Sequence, residues 1–221
     1  MEIDILILKL ENNLINRRDI PKLRGFIADK YPQYVDLHNH IGNDAYKYGY
    51  PMIQYKIIDK TPALIAINEA INTLTKLSFD LKEIDINGDI KNINEKKLII
   101  KKEEFGISEK PIKYLFESPW MALNQNNYKR YLSQNEKGKN EILTKVLVGN
   151  LLSVSKSLSY FIQERINAKL DLTQCTVNFK NQAMLAFKGN FKTNFYIPDY
   201  LGLGKSVSRG FGVIKRIEEK Q

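Results

Sequence analysis

The spacing of apolar residues in the first hundred positions predicts strands that alternate with helices. Residues 3–10 form a short apolar run with several β-branched side chains, which is typical of a buried strand. In residues 17–31, apolar side chains recur at helical spacing after Asp19, so we predict a helix that Asp19 caps. The next two apolar runs, 51–58 and 62–68, predict strands on either side of the turn sequence DKT.

A second helical pattern follows at residues 69–81, and the sequences EIDINGDI and KKLIIKKEEF come after it. The pair Asn87-Gly88 favours a tight hairpin turn, because both positions of such a turn need positive φ angles. We therefore predict that these two sequences form a hairpin. The predicted order of strand, helix, strand, strand, helix, strand is that of a ferredoxin-like unit whose last strand is drawn out as a hairpin.

The second half of the chain repeats this order of elements without repeating the sequence. We predict a strand in 112–123, a long helix over 140–166, two strands within 174–195 around the dipeptide NQ, and a final strand at 213–218. A glycine-rich stretch stands where the second helix of the unit would be expected.

The predicted fold class is therefore α+β, with two tandem ferredoxin-like (βαββαβ) domains. The first covers residues 1–108 and carries both histidines of the chain. The second covers residues 109–221, and its glycine-rich loop replaces the last helix. A chain of 221 residues, 43% of them hydrophobic, is long and apolar enough for two domains of this size.

Charge is unevenly distributed between the two predicted domains. The net charge is +9, and residues 1–100 contribute none of it because their acidic and basic residues balance. Positive charge concentrated on one part of a fold favours a polyanionic partner, although a solvated lysine-rich surface has the same composition. The only cysteine, Cys175, excludes an intrachain disulfide and suits a reducing cytoplasm. Without a signal peptide or a long apolar segment, we expect a cytoplasmic protein with no membrane partner.

The stretch LGLGKSVSRGFGVIKR, residues 201–216, contains four glycines and four basic residues, a composition that is common in phosphate-binding loops. A Walker loop would need a glycine in place of Asp199, and a Rossmann loop would need one in place of Val207. We therefore expect neither a nucleotide nor a dinucleotide, and the backbone of a nucleic acid is the favoured ligand. The alternative is a tight connection between two strands, in which the glycines supply positive φ angles.

Three stretches together resemble the CRISPR-associated RAMP superfamily: the glycine-rich stretch, KLRGFIADKYPQYVDLHNH and YKYGYPMIQYKIIDKTPALIAINEA. They look like the endoribonucleases that process CRISPR precursor RNA, in the variant with a histidine pair in the N-terminal domain. The resemblance covers residues 23–70 and 201–216, while the middle of the chain matches only in the order of its elements. It implies two tandem ferredoxin-like domains, cleavage of RNA by its own 2′-hydroxyl, a histidine as the main catalyst and a tyrosine beside it.

The only histidines, His38 and His40, lie in the polar, tyrosine-rich segment DLHNHIGNDAYKYGY. Attack by a 2′-hydroxyl needs a base for that proton and an acid for the 5′-oxygen, and histidine suits both tasks because its ordinary pKa is about 6.5. We favour His40 as the base and His38 as second candidate or partner, with Tyr48 as the assisting tyrosine and Tyr46 as its alternative. A structural histidine is the competing interpretation, and a zinc site with nearby aspartates would lack a third strong ligand.

Other basic and aromatic residues give a weaker signal. Lys145 and Lys156 are 11 positions apart and share a face of the long predicted helix, where a solvated surface is favoured over RNA contact. Trp120 and Tyr128 are candidates for stacking on bases, but a core position is favoured for Trp120.

The resulting hypothesis is a metal-independent endoribonuclease without a cofactor, which cuts CRISPR repeat RNA and leaves a 2′,3′-cyclic phosphate. The alternative is a non-catalytic RNA-binding RAMP subunit of a CRISPR effector complex, and the sequence leaves homodimerisation open. The expected catalytic residues are His40, His38 and Tyr48. The expected RNA-binding residues are Gly202, Gly204, Lys205, Arg209, Gly210, Gly212 and Lys56.

Overall fold

The contacts within the chain divide it into two compact units. The computed structural model describes residues 1–37, 40–41, 45–46 and 49–218, with the backbone alone for 40–41 and 45–46. The N-terminal unit comprises Glu2–Glu103 and Ser208–Gly210, and the C-terminal unit comprises Met1, Glu104–Val207 and Phe211–Gln221. The predicted boundary after residue 108 lies within a strand of the C-terminal unit.

The N-terminal unit is built on a four-stranded sheet and two helices. Its elements are β1 (Glu2–Glu11), α1 (Ile20–Lys30), β2 (His40–Ile41), β3 (Ala45–Tyr46), β4 (Ile53–Ile58), β5 (Thr61–Ile67), α2 (Ala70–Asp80), β6 (Glu83–Ile86), β7 (Asp89–Asn92) and β8 (Glu95–Glu104). The order in the sheet is β4-β5-β1-β8, and β5 pairs antiparallel with both of its neighbours. This is the predicted ferredoxin-like order, in which the first and last strands lie side by side.

The core of the N-terminal unit forms where both helices cover one face of this sheet. Successive side chains of a strand alternate between the two faces, so Leu6 and Leu8 of β1 point to the same side. They are fully buried and share one hydrophobic cluster with Leu23 of α1 and with Leu74 and Leu77 of α2. The helical spacing of the apolar residues thus gives each helix the buried face that the sequence predicts.

Two local predictions are wrong in the N-terminal unit. Asp19 precedes α1 but caps nothing, because its carboxylate accepts from the ammonium of Lys22 at 2.9 Å; this hydrogen bond lowers the pKa of Asp19. Asn87-Gly88 does form a turn with positive φ angles, but it joins β6 to β7. The sequence KKLIIKKEEF forms β8 instead, which pairs with β1 as the fourth strand of the main sheet.

The C-terminal unit has the same strand order, but a loop stands where the second helix of a ferredoxin-like unit is expected. Its elements are β9 (Gly106–Trp120), α3 (Gln125–Leu132), α4 (Glu136–Ser157), β10 (Ala168–Phe179), β11 (Gln182–Tyr196) and β12 (Ile214–Arg216). The order in the sheet is β10-β11-β9-β12, again ferredoxin-like. Residues 197–213, all of them described, contain a 3₁₀ turn at Val207–Arg209 and no α-helix, which confirms that a loop replaces the last helix. None of the helices in the described part of the chain is long and apolar enough to span a membrane.

The helices of the C-terminal unit differ from the prediction at their ends. The long helix α4 begins at Glu136 and ends at Ser157 rather than 166, because Ser159 adopts a φ of 56° that breaks the helix. The short helix α3 was not predicted, since Tyr131 is its only buried residue and no apolar stripe exists. The turn between β10 and β11 is Lys180-Asn181, one position earlier than the dipeptide NQ.

Candidate functional site

The predicted catalytic residues lie in the segment between α1 and β4. His38 and Tyr48 fall outside the described residues. His40 begins β2, and its backbone lies opposite Tyr46 of β3 in an antiparallel ladder, with Ile41 opposite Ala45. Residues that face each other in such a ladder are the nearest neighbours across it. The register therefore places Tyr46, the alternative tyrosine, directly across from His40.

The chain that leads into this segment is held against α2. Leu37, the residue before His38, is only 2% exposed and belongs to the core cluster. The carboxylate of Asp36 accepts a hydrogen bond from the hydroxyl of Thr73 at 2.8 Å. The hydroxyl of Tyr34 donates to the carboxylate of Asp80 at 2.7 Å. These three contacts fix the start of the histidine segment. In this structure, the carboxylate of Asp36 is engaged in a structural hydrogen bond with Thr73.

Lys56, predicted to contact RNA, is fully buried. It lies on β4, an edge strand of the sheet, but its side chain does not reach the surface. Burial lowers the pKa of Lys56 to about 7, since removing water from an ammonium group disfavours its charged form. Contact of Lys56 with a phosphate stays a prediction.

The lowered pKa of Lys56 makes the free energy of unfolding depend on pH. An unfolded lysine has a pKa of about 10.4, so between pH 7 and 10 residue Lys56 binds more protons in the unfolded chain than in the folded protein. We expect the free energy of unfolding to rise with pH in this window, by at most about 1.4 kcal/mol per pH unit from this residue. Denaturant titrations at pH 7.5, 8.5 and 9.5 measure this slope.

The substitution Lys56→Met removes the titrating group and is expected to flatten that pH dependence. Lys76→Met is the matched control, because Lys76 is exposed on α2. Equal slopes in the wild-type protein and the Lys56→Met variant would contradict the assignment of a depressed pKa to Lys56.

The glycine-rich stretch folds back on itself before β12. The amide of Leu203 donates to the carbonyl of Gly212 at 2.9 Å, and Gly202 forms an isolated bridge with Val213. The amide of Gly212 also donates to the carbonyl of Pro119 at 2.9 Å, which ties the stretch to β9. The two arms of this loop therefore close its base by main-chain hydrogen bonds.

Close packing accounts for two of its glycines. Gly204 has a φ of 89°, and a Cβ atom there would lie 2.6 Å from the indole nitrogen of Trp120. Gly212 has a φ of 62°, and its Cβ would lie 1.9 Å from the carbonyl oxygen of Leu203. No side chain fits at either position. The tight connection that the sequence left as an alternative is thus present, and phosphate contact by these glycines stays a prediction.

The tip of the loop, Ser208–Gly210, belongs to the N-terminal unit by its contacts. A Cβ on Gly210 would lie 2.5 Å from the Cδ1 of Ile20 and 3.4 Å from the carbonyl oxygen of Tyr55. The pKa of Arg24 on α1 is lowered, mainly by burial and also by the positive charge of Arg209. The structure thus brings Arg209, a predicted RNA contact, near a second arginine that the sequence did not single out.

Lys205, another predicted RNA contact, lines a cleft of about 400 Å³ in the C-terminal unit. Arg130 of α3 and Lys145 of α4 line the same cleft, which we call the basic cleft. Partial burial lowers the pKa of Lys205. Sequence reasoning named Lys145 and Lys205 but could not bring them together with Arg130, because the three residues lie on separate elements. Trp120 is fully buried, as favoured, and cannot stack on bases.

Two tandem ferredoxin-like domains, with a glycine-rich loop before the last strand of the second, define a RAMP-type protein with the Cas6 fold. A family model of the Cas6b N-terminal domain matches residues 1–104. A model of the Cas6b C-terminal domain matches residues 106–217. The chain therefore belongs to the Cas6b family.

Individual relatives agree with this assignment. A crystal structure of Cas6b is 43% identical, covers 98% of this chain and 100% of its own, and superposes with a TM-score of 0.94. A crystal structure of the CRISPR RNA processing endoribonuclease Cas6b is 38% identical with the same coverage and a TM-score of 0.81. An uncharacterized protein of Methanocaldococcus jannaschii is 42% identical over 145 residues, which are 65% of this chain and 99% of the relative.

Proposed function

We propose that the protein cleaves CRISPR repeat RNA as a metal-independent endoribonuclease and so produces guide RNAs. The observation that carries the proposal is the similarity, over nearly the whole chain, to a CRISPR RNA processing endoribonuclease that is 38% identical. The only two histidines of the sequence lie within one short segment, and Leu37 fixes its start in the core. A proton-transfer site at that position fits the proposed reaction.

The proposed reaction uses a hydroxyl of the substrate as the nucleophile. His40 takes the proton of the 2′-hydroxyl, whose oxygen attacks the adjacent phosphorus. The bond from phosphorus to the 5′-oxygen then breaks, and an acid, with His38 as first candidate, protonates that oxygen. The products are a 2′,3′-cyclic phosphate and a 5′-hydroxyl, so no water, metal or redox partner enters this step. Because Tyr46 lies opposite His40 in the ladder, Tyr46 remains a candidate for the assisting tyrosine, as an alternative to Tyr48.

Positively charged side chains around the glycine-rich loop are proposed to bind the RNA. Packing requires glycine at positions 204 and 212, and the nearby Lys205 and Arg209 supply the positive charge that meets phosphates. Cations and backbone N–H groups stabilise the charge that builds up on the phosphorane. We place the protein in the cytoplasm, and we leave an effector complex and a homodimer as proposed assemblies of the RNA-bound protein.

The test is cleavage of a repeat RNA in EDTA. We expect the same single-turnover rate with and without the chelator, and a product end that carries a cyclic phosphate. An RNA with a 2′-deoxy sugar just before the mapped cut should bind but remain whole, because it lacks the nucleophile.

Each alternative predicts a different result in the same assay. Cleavage of the deoxy RNA would exclude the 2′-hydroxyl mechanism, and loss of activity in EDTA that Mg²⁺ or Zn²⁺ restores would indicate a metal nuclease. Tight binding of the repeat RNA with no cleavage under any condition would identify the non-catalytic RAMP subunit instead.

A further inference from the structure

The basic cleft lies between α3, α4 and the start of the glycine-rich loop, and every residue that lines it belongs to the C-terminal unit. Three elements each contribute one cation to it, namely Arg130, Lys145 and Lys205. Sites of a few hundred cubic ångströms are large enough for small ligands. At about 400 Å³ the basic cleft falls within that range.

The walls of the cleft are held in place by the fold. The amide of Lys205 donates to the carbonyl of Met121 at 3.1 Å, which fixes the base of that side chain beside the end of β9. The indole nitrogen of Trp120 donates to the side-chain oxygen of Asn150 at 3.1 Å. Since an indole N–H can only donate, the amide oxygen of Asn150 faces Trp120 and its NH₂ group is left to donate elsewhere. Asn150, which lines the cleft, therefore has an NH₂ group that can donate beside the three cations.

The described lining of the basic cleft carries positive charge without a carboxylate. Among the lining residues that the structure describes, none is acidic. Within the described part of the chain, none of the three cations forms an ion pair, in contrast to Lys139, whose ammonium lies 2.8 Å from the carboxylate of Glu136 on the same helix. Like charges that converge without a counter-charge favour an anionic ligand.

We propose that the basic cleft binds the phosphate backbone of a single-stranded segment of the substrate RNA. This inference rests on the proposed function, because the anion is taken to be RNA. The described lining contains no aromatic side chain, so the cleft has no platform on which a base could stack. Binding there is consequently independent of sequence, and it extends the phosphate contact proposed for Lys205 to Arg130 and Lys145.

Three substitutions test the cleft: Arg130→Gln, Lys145→Gln and Lys205→Gln. Binding of a repeat RNA, protected by a 2′-deoxy sugar at the cut, is measured by fluorescence anisotropy across a series of salt concentrations. Each substitution should weaken binding several-fold and reduce the slope of log K against log salt by about 0.7, and the triple variant by about 2. A single-stranded RNA of scrambled sequence should lose affinity by the same factor.

Lys156→Gln is the matched control, because Lys156 is exposed on the same helix but does not line the cleft. It should bind RNA like the wild-type protein, and Lys145→Arg should bind nearly as well because it keeps the charge. Melting temperatures of all variants exclude unfolding as the cause of a loss. If the wild-type protein binds and the Arg130→Gln and Lys145→Gln variants match Lys156→Gln, the cleft inference alone is overturned, and a neutral Lys205→Gln would also remove Lys205 from the proposed RNA contacts. Failure of the wild-type protein to bind any repeat RNA would overturn the proposed function as well.

Discussion

Replacing His40 by alanine is expected to lower the single-turnover rate of RNA cleavage by about 10²- to 10⁴-fold, the range typical for loss of a general base. The dissociation constant for the deoxy-protected RNA should stay close to the wild-type value, because His40 is assigned to proton transfer rather than to RNA binding. Gel analysis of cleavage at saturating enzyme, together with anisotropy, measures both quantities.

The second histidine provides the comparison. His38→Ala should also slow cleavage if it serves as the acid or orients His40, and should leave the rate unchanged if it is structural. Tyr46→Phe and Tyr48→Phe, assayed side by side, identify the assisting tyrosine. Full activity in both histidine variants would remove the histidines from the mechanism and would redirect the search to the cations of the site.

The second large effect is expected at Gly212. Gly212→Ala places a Cβ atom 1.9 Å from the carbonyl oxygen of Leu203, at a φ of 62° that side chains rarely adopt. The main-chain bonds that close the base of the loop cannot keep their positions, so we expect a loss of about 3–5 kcal/mol in the free energy of unfolding. Denaturant titration measures this loss, and RNA binding should fall with it.

Gly149→Ala is the control in the same unit. Gly149 lies within α4, and an added Cβ would have no atom within 4 Å apart from its own helix backbone, so alanine should stabilise that helix by up to about 1 kcal/mol. The two glycine substitutions thus have opposite expected signs. A Gly212→Ala variant as stable as the wild-type protein would show that the loop opens easily, and would contradict its role as a fixed part of the core.

The spacing of apolar residues predicted the fold correctly in every segment where it fitted either a strand or a helix but not both. The order of strands and helices could be predicted from buried runs such as β1 and from the apolar stripes of α1 and α2. The observed strand orders confirm both ferredoxin-like units. The end of α4 could not be predicted, because Phe161 and Ile162 continue the helical spacing by chance, and Phe161 is in fact 82% exposed. The second strand of the β6–β7 hairpin was missed because its four residues are mostly exposed and polar.

Sequence reasoning identified the residue types of the candidate site better than their arrangement. The rarity of histidine drew attention to His38 and His40, and the glycine spacing marked the loop. It could not foresee that Lys56 would be buried, since a lysine between apolar residues on an edge strand is more often solvated. Nor could it assemble the basic cleft, because Arg130 and Lys205 meet only after the chain has folded.

The contact between Gly210 and Ile20 has a consequence for how the protein is made. These residues belong to the same compact unit, yet nearly the whole length of the chain separates them. A ribosome releases the N-terminal sheet and helices long before it releases Ser208–Gly210, so the nascent unit lacks this contact until the glycine-rich loop has been made. Contacts so distant in sequence form slowly, and completion of the N-terminal unit is therefore tied to the synthesis of the C-terminal unit that carries Ser208–Gly210.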